Sequence, residues 1–498
     1  MRRIALSLSL LTCFACKSGP AEAPDEHLPV AAAHTATVAA ANVDDEPWRA
    51  NPPAPGPELS FQLPLPKQQA LKNGLTVLVA EVHDLPLVSM VLTTRVGSFQ
   101  DPKGKAGLAA LSYGLLGEGT KSKDALAFTN AVADLGASFG VSAAQDNGLL
   151  AITGLSKNAD AMLGLLTDAA LRPRLDPKDF ERNKSLKLAQ ITAQHGSPGG
   201  LAAEQLPTMI YGPDHPYGHP PGGVISTVKT ISLADIKGFL DKNLAPGNSA
   251  LIVAGDLSLE QAVKLAEKHL GSWNKKAPPE VSMPKAEAKP RTELRFIDVP
   301  GAKQTMIAVG RPLFGRGSPD ETVMSVVNEV LGGGGLASRL NMNLREKNGY
   351  SYGAFSAVSP RHEVGAFYAM TQVRADATGP ALAELMGELG RMDTMPPTLE
   401  ELTRAKNGII RGIPGQIEHL STLATMAAEI FIYKLSPEYF SEMPKRVAAV
   451  NEDTAAKAAK SYLEPSAMGI VLVGDASARK AEVEALKLGA VVVEKPKD

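Results

Sequence analysis

Residues 331–353 read LGGGGLASRLNMNLREKNGYSYG, and this stretch organises the second half of the chain. Glycine loses the most backbone freedom on ordering and packs no side chain, so we expect its four-glycine run to form a mobile loop. The run consists of Gly332, Gly333, Gly334 and Gly335. One helical face is indicated by the four-residue spacing of Leu336, Leu340 and Leu344. Asn348-Gly349 then supplies a helix stop, and residues 350–355 are typical of a strand.

The order of these features resembles a known family signature. A glycine run, Ser-Arg-Leu, a short helix with Leu-Arg-Glu-Lys and then Gly-x-x-Tyr is similar to the second domain of insulinase/pitrilysin-type metallopeptidases, which include mitochondrial processing peptidase. In that family an arginine and a tyrosine seven residues later contact the substrate, and the matching pair is Arg345 and Tyr352. The resemblance implies that this pair and the glycine run bind substrate. Without it, Arg345 caps its helix or pairs with a carboxylate, and Tyr352 is a core residue.

The composition excludes several function classes. The 498 residues are 44% apolar and 21% charged, with a net charge of −2, which is typical of a globular protein. No basic excess indicates nucleic-acid binding, and no apolar run reaches the roughly 18 residues of a membrane span. We therefore expect no nucleic-acid partner, and contact with a membrane only through an N-terminal lipid anchor.

Residues 1–16 have the features of a secretory signal, because Arg2-Arg3 precedes an apolar segment too short to span a bilayer. The chain has two cysteines, Cys13 and Cys16, and both lie at the end of this signal segment. Cys16 resembles the lipidated residue of a bacterial lipoprotein, although Cys13 stands where that motif carries leucine. We expect a periplasmic protein or an outer-membrane-anchored lipoprotein, with an ordinary cleaved signal as the alternative. The Ala- and Pro-rich residues 17–60 are expected to form a disordered tether.

The chain contains an internal repeat. Residues 231–256 carry a capped helix, a proline-containing turn, an apolar strand and Gly-Asp, and residues 450–475 repeat this series 219 positions later. Such self-similarity indicates duplicated units. Between them, residues 275–290 are rich in proline and typical of a semi-rigid linker. We therefore predict two homologous domains, residues 61–274 and 291–498.

Each half has strand-like runs followed by amphipathic helices and further strands. This grouping predicts an α+β fold in which each domain is an α/β sandwich, a sheet with helices packed on one face. The resemblance implies that the two domains together form one half of a clam-like peptidase.

The first half contains the counterpart of a zinc helix without its ligands. In the family it resembles, this helix bears H-x-x-E-H, whose spacing sets two imidazoles and a general base on one helical face. Gly107-Leu108-Ala109 and Gly119-Thr120 set the register here. The positions of the first histidine, the base, the second histidine and the downstream glutamate are held by Ala110, Tyr113, Gly114 and Gln190. We therefore expect no metal in this chain, in which neither H-x-x-E-H nor H-E-x-x-H occurs.

The resemblance implies a function that needs a second chain. In two-subunit relatives one chain carries the zinc helix, and the other carries the glycine-rich loop and the Arg/Tyr pair. We therefore expect a chain that is inactive alone and binds a peptide substrate for a zinc-bearing insulinase-family subunit. The pair would form a heteromeric extracytoplasmic peptidase acting on peptides or unfolded segments. The alternative is an insulinase-fold scaffold or binding protein with no role in hydrolysis, although retention of Arg345 and Tyr352 favours the composite enzyme.

Overall fold

The computed structural model describes Gly56, Phe61 and residues 63–286 and 291–496. The predicted signal and the lipidation of Cys16 lie outside the described residues, and Gly56 is the one described residue of the predicted tether. The domain bounds and the cellular location therefore stay predictions.

The first half of the chain forms a six-stranded mixed sheet. Its spatial order is β1-β2-β6-β3-β5-β4. The strands are β1 (Lys67–Ala70), β2 (Thr76–Glu81), β3 (Leu87–Thr94), β4 (Ser138–Ala143), β5 (Gly148–Leu155) and β6 (Ser249–Gly255). The β2 and β6 strands run parallel, and the other neighbouring pairs of this sheet run antiparallel. The edge strand β4 therefore has one unpaired side.

The second half repeats this topology. Its strands are β7 (Glu293–Asp298), β8 (Gln304–Phe314), β9 (Ser351–Ser359), β10 (Val364–Arg374), β11 (Gly469–Gly474) and β12 (Val491–Glu494). Their order is β12-β7-β11-β8-β10-β9, so β7, β11, β8, β10 and β9 correspond to β2, β6, β3, β5 and β4. Ala250 of β6 pairs with a parallel and an antiparallel neighbour, and Gly469 of β11, 219 positions later, does the same. The predicted repeat is confirmed in strand order and register.

The helices follow the same repeat. Those of the first half are α1 (Leu108–Leu116), α2 (Ala125–Asp134), α3 (Ala159–Leu171), α4 (Pro177–His195), α5 (Pro198–Tyr211), α6 (Ile225–Thr230), α7 (Leu233–Asn243) and α8 (Leu259–Leu270). Those of the second half are α9 (Glu321–Asn328), α10 (Arg339–Asn341), α11 (Thr378–Thr394), α12 (Leu399–Ile417), α13 (Leu420–Tyr433), α14 (Met443–Ala448), α15 (Glu452–Tyr462) and α16 (Ala476–Ala485). Among the described residues, no helix combines the length and apolar character needed to cross a bilayer.

Each sheet packs one face against helices of its own half. In the first half, Val77, Val79 and Met90 of the sheet pack with Leu111 of α1 and Leu166 of α3. The second half buries an equivalent cluster between its sheet and α9, α11 and α15. The predicted sandwich of a sheet and a helical layer is confirmed in both halves.

The opposite face of each sheet is covered by a helix from the other half. Leu423, Ala427 and Ile430 of α13 pack on Leu78 and Ile252 of the first sheet. In the same way, α5 of the first half packs on β8 and β11 of the second sheet. Because side chains alternate between the faces of a strand, the central strands β6 and β11 are buried throughout. The structure thus adds an exchanged helix to the predicted sandwich.

Close backbone approach and polar bonds hold the exchanged helices. A Cβ at Gly310 of β8 would lie 2.7 Å from Cδ1 of Ile210, so glycine is needed for α5 to pack this closely. On the other side, Arg95 donates to the carbonyl of Phe431 at 3.0 and 2.7 Å, and its guanidinium lies 4.0 Å from the centre of that ring. The buried carboxylate of Asp146 accepts a 2.9 Å hydrogen bond from Tyr433.

The described part of the predicted linker, residues 275–286, packs against both halves. Glu280 pairs with Lys434 at 2.7 Å. Met283 is 4% exposed and packs in a small cluster with Tyr217 and Val364. This segment is therefore attached at Glu280 by an ion pair and at Met283 by apolar contacts, whereas its proline content suggested a spacer.

The packing of α13 predicts a large effect of a single truncation. Ile430→Ala removes a side chain that is 6% exposed and leaves a cavity against the first sheet. Such substitutions lower the free energy of unfolding by about 2–5 kcal/mol. Urea unfolding followed by circular dichroism would measure it. The matched control Leu126→Ala changes a side chain that is 71% exposed and should have a small effect. Equal effects of the two variants would contradict the packing of α13 on that sheet.

Candidate functional site

The positions predicted to correspond to zinc ligands lie around one cavity. Ala110 and Gly114 of α1 and Gln190 of α4 line an open cavity of about 400 Å³, with residues 141–143 of β4 on another wall. The two helices bring these positions together although 76 residues separate Gly114 from Gln190. A methyl group, a hydrogen atom and a neutral amide supply no imidazole or carboxylate ligand, so these residues do not fit a zinc ion.

Tyr113, at the predicted position of the base, faces the core instead of the cavity. Its side chain is fully buried, and its hydroxyl forms a hydrogen bond with Thr94. Burial raises the pKa of Tyr113, so the phenol stays protonated. A Cβ at Gly148 of β5 would overlap the ring, which shows how closely Tyr113 packs on the sheet. Its contacts make it a structural residue.

No other metal site emerges from the described residues, which contain no group of three or more His, Cys, Asp and Glu side chains arranged to hold an ion. A larger groove of about 1560 Å³ lies elsewhere, lined by residues that include Leu85, His83 and Leu420. It contains none of the predicted site residues. Size alone therefore does not identify the site in this chain.

The glycine run forms helical turns, which corrects the expectation of a loop. Residues Glu329–Gly333 continue α9 as a π-helical turn, and Gly335–Ala337 form a 3₁₀ turn. A Cβ at Gly332 would lie 2.5 Å from Oγ and 2.6 Å from the backbone nitrogen of Ser356 in β9. Gly335 has a φ of +63°, which favours glycine. Glycine serves close packing and turning here, and mobility is not required to explain it.

The helical face predicted after this run is also shorter than expected. Leu340 and Leu344 are fully buried, whereas Leu336 is 58% exposed because it lies in the 3₁₀ turn before the helix. The helical segment starts at Arg339 and continues as a π-helix over Met342–Lys347. The predicted stop is confirmed, since Gly349 has a φ of +61°.

Polar side chains within this stretch, missed in the sequence analysis, attach it to its surroundings. Asn341 donates to the carbonyl of Ala354 at 2.7 Å and accepts from its N–H at 2.9 Å, as a neighbouring strand would. Arg339 forms a bidentate pair with Glu401 at 2.8 and 2.7 Å. Asn343 donates to Glu388 at 2.6 Å. In the sequence, Arg339, Asn341 and Asn343 carry guanidinium and amide groups at a spacing of two residues. This spacing was the signal from which the anchoring of the segment could have been predicted.

Arg345 and Tyr352 project from this anchored segment. The Arg345 side chain is 38% exposed, and its Nε lies 3.3 Å from a carboxylate oxygen of the adjacent Glu346. Tyr352, at the start of β9, is 92% exposed, which excludes the alternative of a core residue. Neither residue lines the cavity between α1 and α4. The two side chains are therefore available to another molecule, and they lie outside the cavity that contains the degenerate zinc position.

A half-buried carboxylate supports the helix that carries this position. Asp101 accepts hydrogen bonds from the backbone N–H groups of Gly107 at 2.7 Å and Ala109 at 2.8 Å, at the beginning of α1. These bonds favour the ionised form, but burial outweighs them and raises the pKa of Asp101 to about 7. Asp101 therefore takes up a proton on folding at mildly acidic pH.

Introducing zinc ligands at positions 110, 114 and 190 tests whether these three positions lie close enough to hold one ion. The triple variant Ala110→His, Gly114→His, Gln190→Glu, made in a Lys187→Met background because the Lys187 ammonium bonds to Gln190 in this cavity, should bind one zinc ion. A side chain at Gly114 has open space, and all three positions line one cavity. Isothermal titration calorimetry and metal analysis after dialysis would measure it. The double variant without Gln190→Glu should bind more weakly. A folded triple variant that retains no more zinc than the parent chain would contradict this placement.

Asp101 predicts a pH dependence of stability. Its pKa is about 7 in the folded chain and about 3.9 when unfolded, so between these values the folded state binds the extra proton. The free energy of unfolding should therefore fall as pH rises from about 4 to about 7, by up to about 1.4 kcal/mol per pH unit. Asp101→Asn should reduce this slope, measured by urea unfolding at several pH values. An identical slope in both proteins would contradict the assignment.

Comparison with known proteins adds independent findings. The family model described as insulinase (peptidase family M16) matches residues 76–215, and the one described as peptidase M16 inactive domain matches residues 230–409. An uncharacterized zinc protease of Mycobacterium leprae is 26% identical over 300 residues, which cover 59% of this chain and 66% of that protein, just under two thirds. An uncharacterized zinc protease of Rickettsia bellii is 24% identical over 384 residues, covering 76% of this chain and 92% of that protein.

A solved structure shares the fold described above. The crystal structure of a peptidase M16 inactive domain from Pseudomonas fluorescens superposes with a TM-score of 0.77 and 28% sequence identity. The match covers 82% of this chain and 98% of that one. Two models of this family thus match successive parts of the chain, residues 76–215 and 230–409. The chain belongs to the insulinase family, peptidase family M16.

Proposed function

We propose that this chain is the non-catalytic, substrate-binding subunit of a heteromeric zinc peptidase that acts on peptides or unfolded segments outside the cytoplasm. One observation carries the proposal: the family's metal position is a cavity without zinc ligands, while Arg345 and Tyr352 remain exposed on an anchored segment. Zinc would be held by an insulinase-family partner. The extracytoplasmic location rests on the signal-like residues 1–16 and on Cys16.

The exposed pair has the chemistry that this role requires. The planar guanidinium of Arg345 offers several N–H donors to carbonyl or carboxylate oxygens of a peptide. The Tyr352 hydroxyl can donate to an oxyanion that develops where the partner's site cleaves the peptide. Arg339 and Asn341 anchor the helical segment that carries Arg345, and Asn341 also bonds to the strand that carries Tyr352. Both side chains therefore stand on a rigid support. Such a subunit contributes to hydrolysis without a metal of its own.

The competing function is an insulinase-fold scaffold that takes no part in hydrolysis. It is favoured by the small residues Ala110 and Gly114, because a cavity lined by them can receive a packing neighbour. A scaffold gives no reason for the 92% exposure of Tyr352 next to an exposed arginine. The composite enzyme accounts for both features.

Substitution of the pair in the assembled enzyme tests the proposal. The mature chain would be affinity-purified from its native extract, and the co-purifying fraction assayed for peptide cleavage that a chelator abolishes. Arg345→Ala and Tyr352→Phe should each lower kcat/KM by about 10²- to 10³-fold, the usual loss of an oxyanion-type donor. Assembly should be unchanged, since both side chains are exposed.

The control is Arg404→Ala, which removes an arginine that is also exposed, on α12, and should leave cleavage unchanged. Full activity of both pair variants would exclude their role and favour the scaffold. A complex with no chelator-sensitive cleavage would have the same consequence. Cleavage by the purified chain alone, stopped by a chelator, would contradict the assignment of zinc to a partner.

A further inference from the structure

A lysine occupies the cavity from which the zinc ligands are missing. Lys187 lies on α4, one helical turn before Gln190, and lines the same cavity as Ala110 and Gly114. Its Nζ donates to Oε1 of Gln190 at 3.1 Å. A Cβ placed on Gly222 would lie 3.6 Å from this Nζ, so a small residue leaves room for the ammonium group. The cavity therefore contains a cationic side chain where the family would bind a metal cation.

This cation has no acidic counterpart in the cavity. The described residues that line it are Ala110, Leu111, Gly114, Val141, Ser142, Ala143, Asn183, Leu186, Lys187 and Gln190, and none is acidic. The nearby carboxylate of Glu118 is bonded to Arg182 and Asn183. Burial lowers the pKa of Lys187, and no carboxylate offsets that effect. The cavity is therefore positively charged.

The polar and apolar parts of the cavity suit the carboxylate of a peptide. Because Oε1 of Gln190 already accepts from Lys187, its amide N–H groups remain as further donors beside the ammonium. Leu111, Val141 and Leu186 provide apolar wall for the rest of a residue. A partly desolvated ammonium that bonds only to a neutral amide gains a charge-assisted hydrogen bond when a carboxylate binds.

We propose that the cavity between α1, α4 and β4 binds a carboxylate of the peptide substrate. The Lys187 ammonium donates a charge-assisted hydrogen bond to this carboxylate, and the Gln190 amide is a second donor. The carboxylate comes from the peptide C-terminus or from an Asp or Glu side chain. That the ligand is a peptide rests on the proposed function, to which this site adds a preference for peptides with a carboxylate. It requires no partner chain and no metal, so the chain alone can be tested.

The test compares matched fluorescent peptides binding to the purified full chain, followed by fluorescence anisotropy. One peptide has a free C-terminal carboxylate, one is the same uncharged sequence with a C-terminal amide, and one is the amide with an internal Glu. At low ionic strength we expect a carboxylate peptide to bind about 10- to 100-fold tighter than the uncharged amide, the range for a hydrogen bond to a charged group. Which carboxylate peptide gains affinity identifies the source of the carboxylate.

Variants connect the effect to the cavity. Lys187→Met should lower the affinity for the carboxylate peptide to that for the amide peptide. Lys187→Arg should retain most of the preference for the carboxylate. The control Lys178→Met removes an exposed cation from the same helix outside the cavity and should change little. Lys187→Met should also raise the melting temperature, since it removes a partly desolvated charge. This readout shows that lost binding is not lost folding.

Two results would overturn the site: equal affinity for carboxylate and amide peptides, or an unchanged preference in Lys187→Met. Either result leaves the proposed subunit role standing if the co-purified complex still cleaves peptide and requires Arg345. Conversely, a carboxylate preference that depends on Lys187, in a chain that joins no zinc peptidase, would keep the site and reject the subunit role.

Discussion

The central strands of each sheet are apolar on both faces, and each half supplies a helical layer for one face only. The second face is covered by a helix that belongs to the other half: α13 on the first sheet and α5 on the second. Neither sheet is shielded from water without the other half. Burial of these faces, at about 25 cal/mol per Å² of apolar surface, therefore ties the two halves into one stable structure.

This exchange also fixes the frame on which the site is built. With one face covered by α13, the first sheet holds α1 and α4 on the face that packs against helices of its own half, where Ala110, Gly114 and Gln190 meet. The fully buried Tyr113 fills the space between α1 and the sheet. Loss of the family's ligands has therefore left the surrounding fold intact. What remains is a shaped cavity whose charge comes from Lys187.

The second half presents a different kind of surface. Arg345 and Tyr352 stand on a segment whose own polar groups are satisfied by Ala354, Glu401 and Glu388. The exposed pair and the cavity are separate, so each can contact a peptide or a partner without the other.

Much of the fold followed from sequence, because the repeat of 219 positions carries the strand order with it. The register Gly-Leu-Ala to Gly-Thr also led to Ala110 and Gly114, which line one cavity, since helical spacing determines which residues share a face. Three predictions failed for tertiary reasons. The glycine run forms helical turns with Gly332 packed against Ser356, Leu336 is exposed before the helix begins, and the base position turns into the core.

Local sequence by itself determined the duplicated units, the capped helices, the absence of zinc ligands and the spacing of Arg345 and Tyr352. These properties depend on residue identity and short-range periodicity. Only the tertiary structure decided which helix covers which sheet, that Tyr352 is exposed and that Lys187 enters the cavity without a carboxylate. Those outcomes depend on contacts between residues far apart in the chain, and no local pattern encodes the partner of a buried face or of a buried charge.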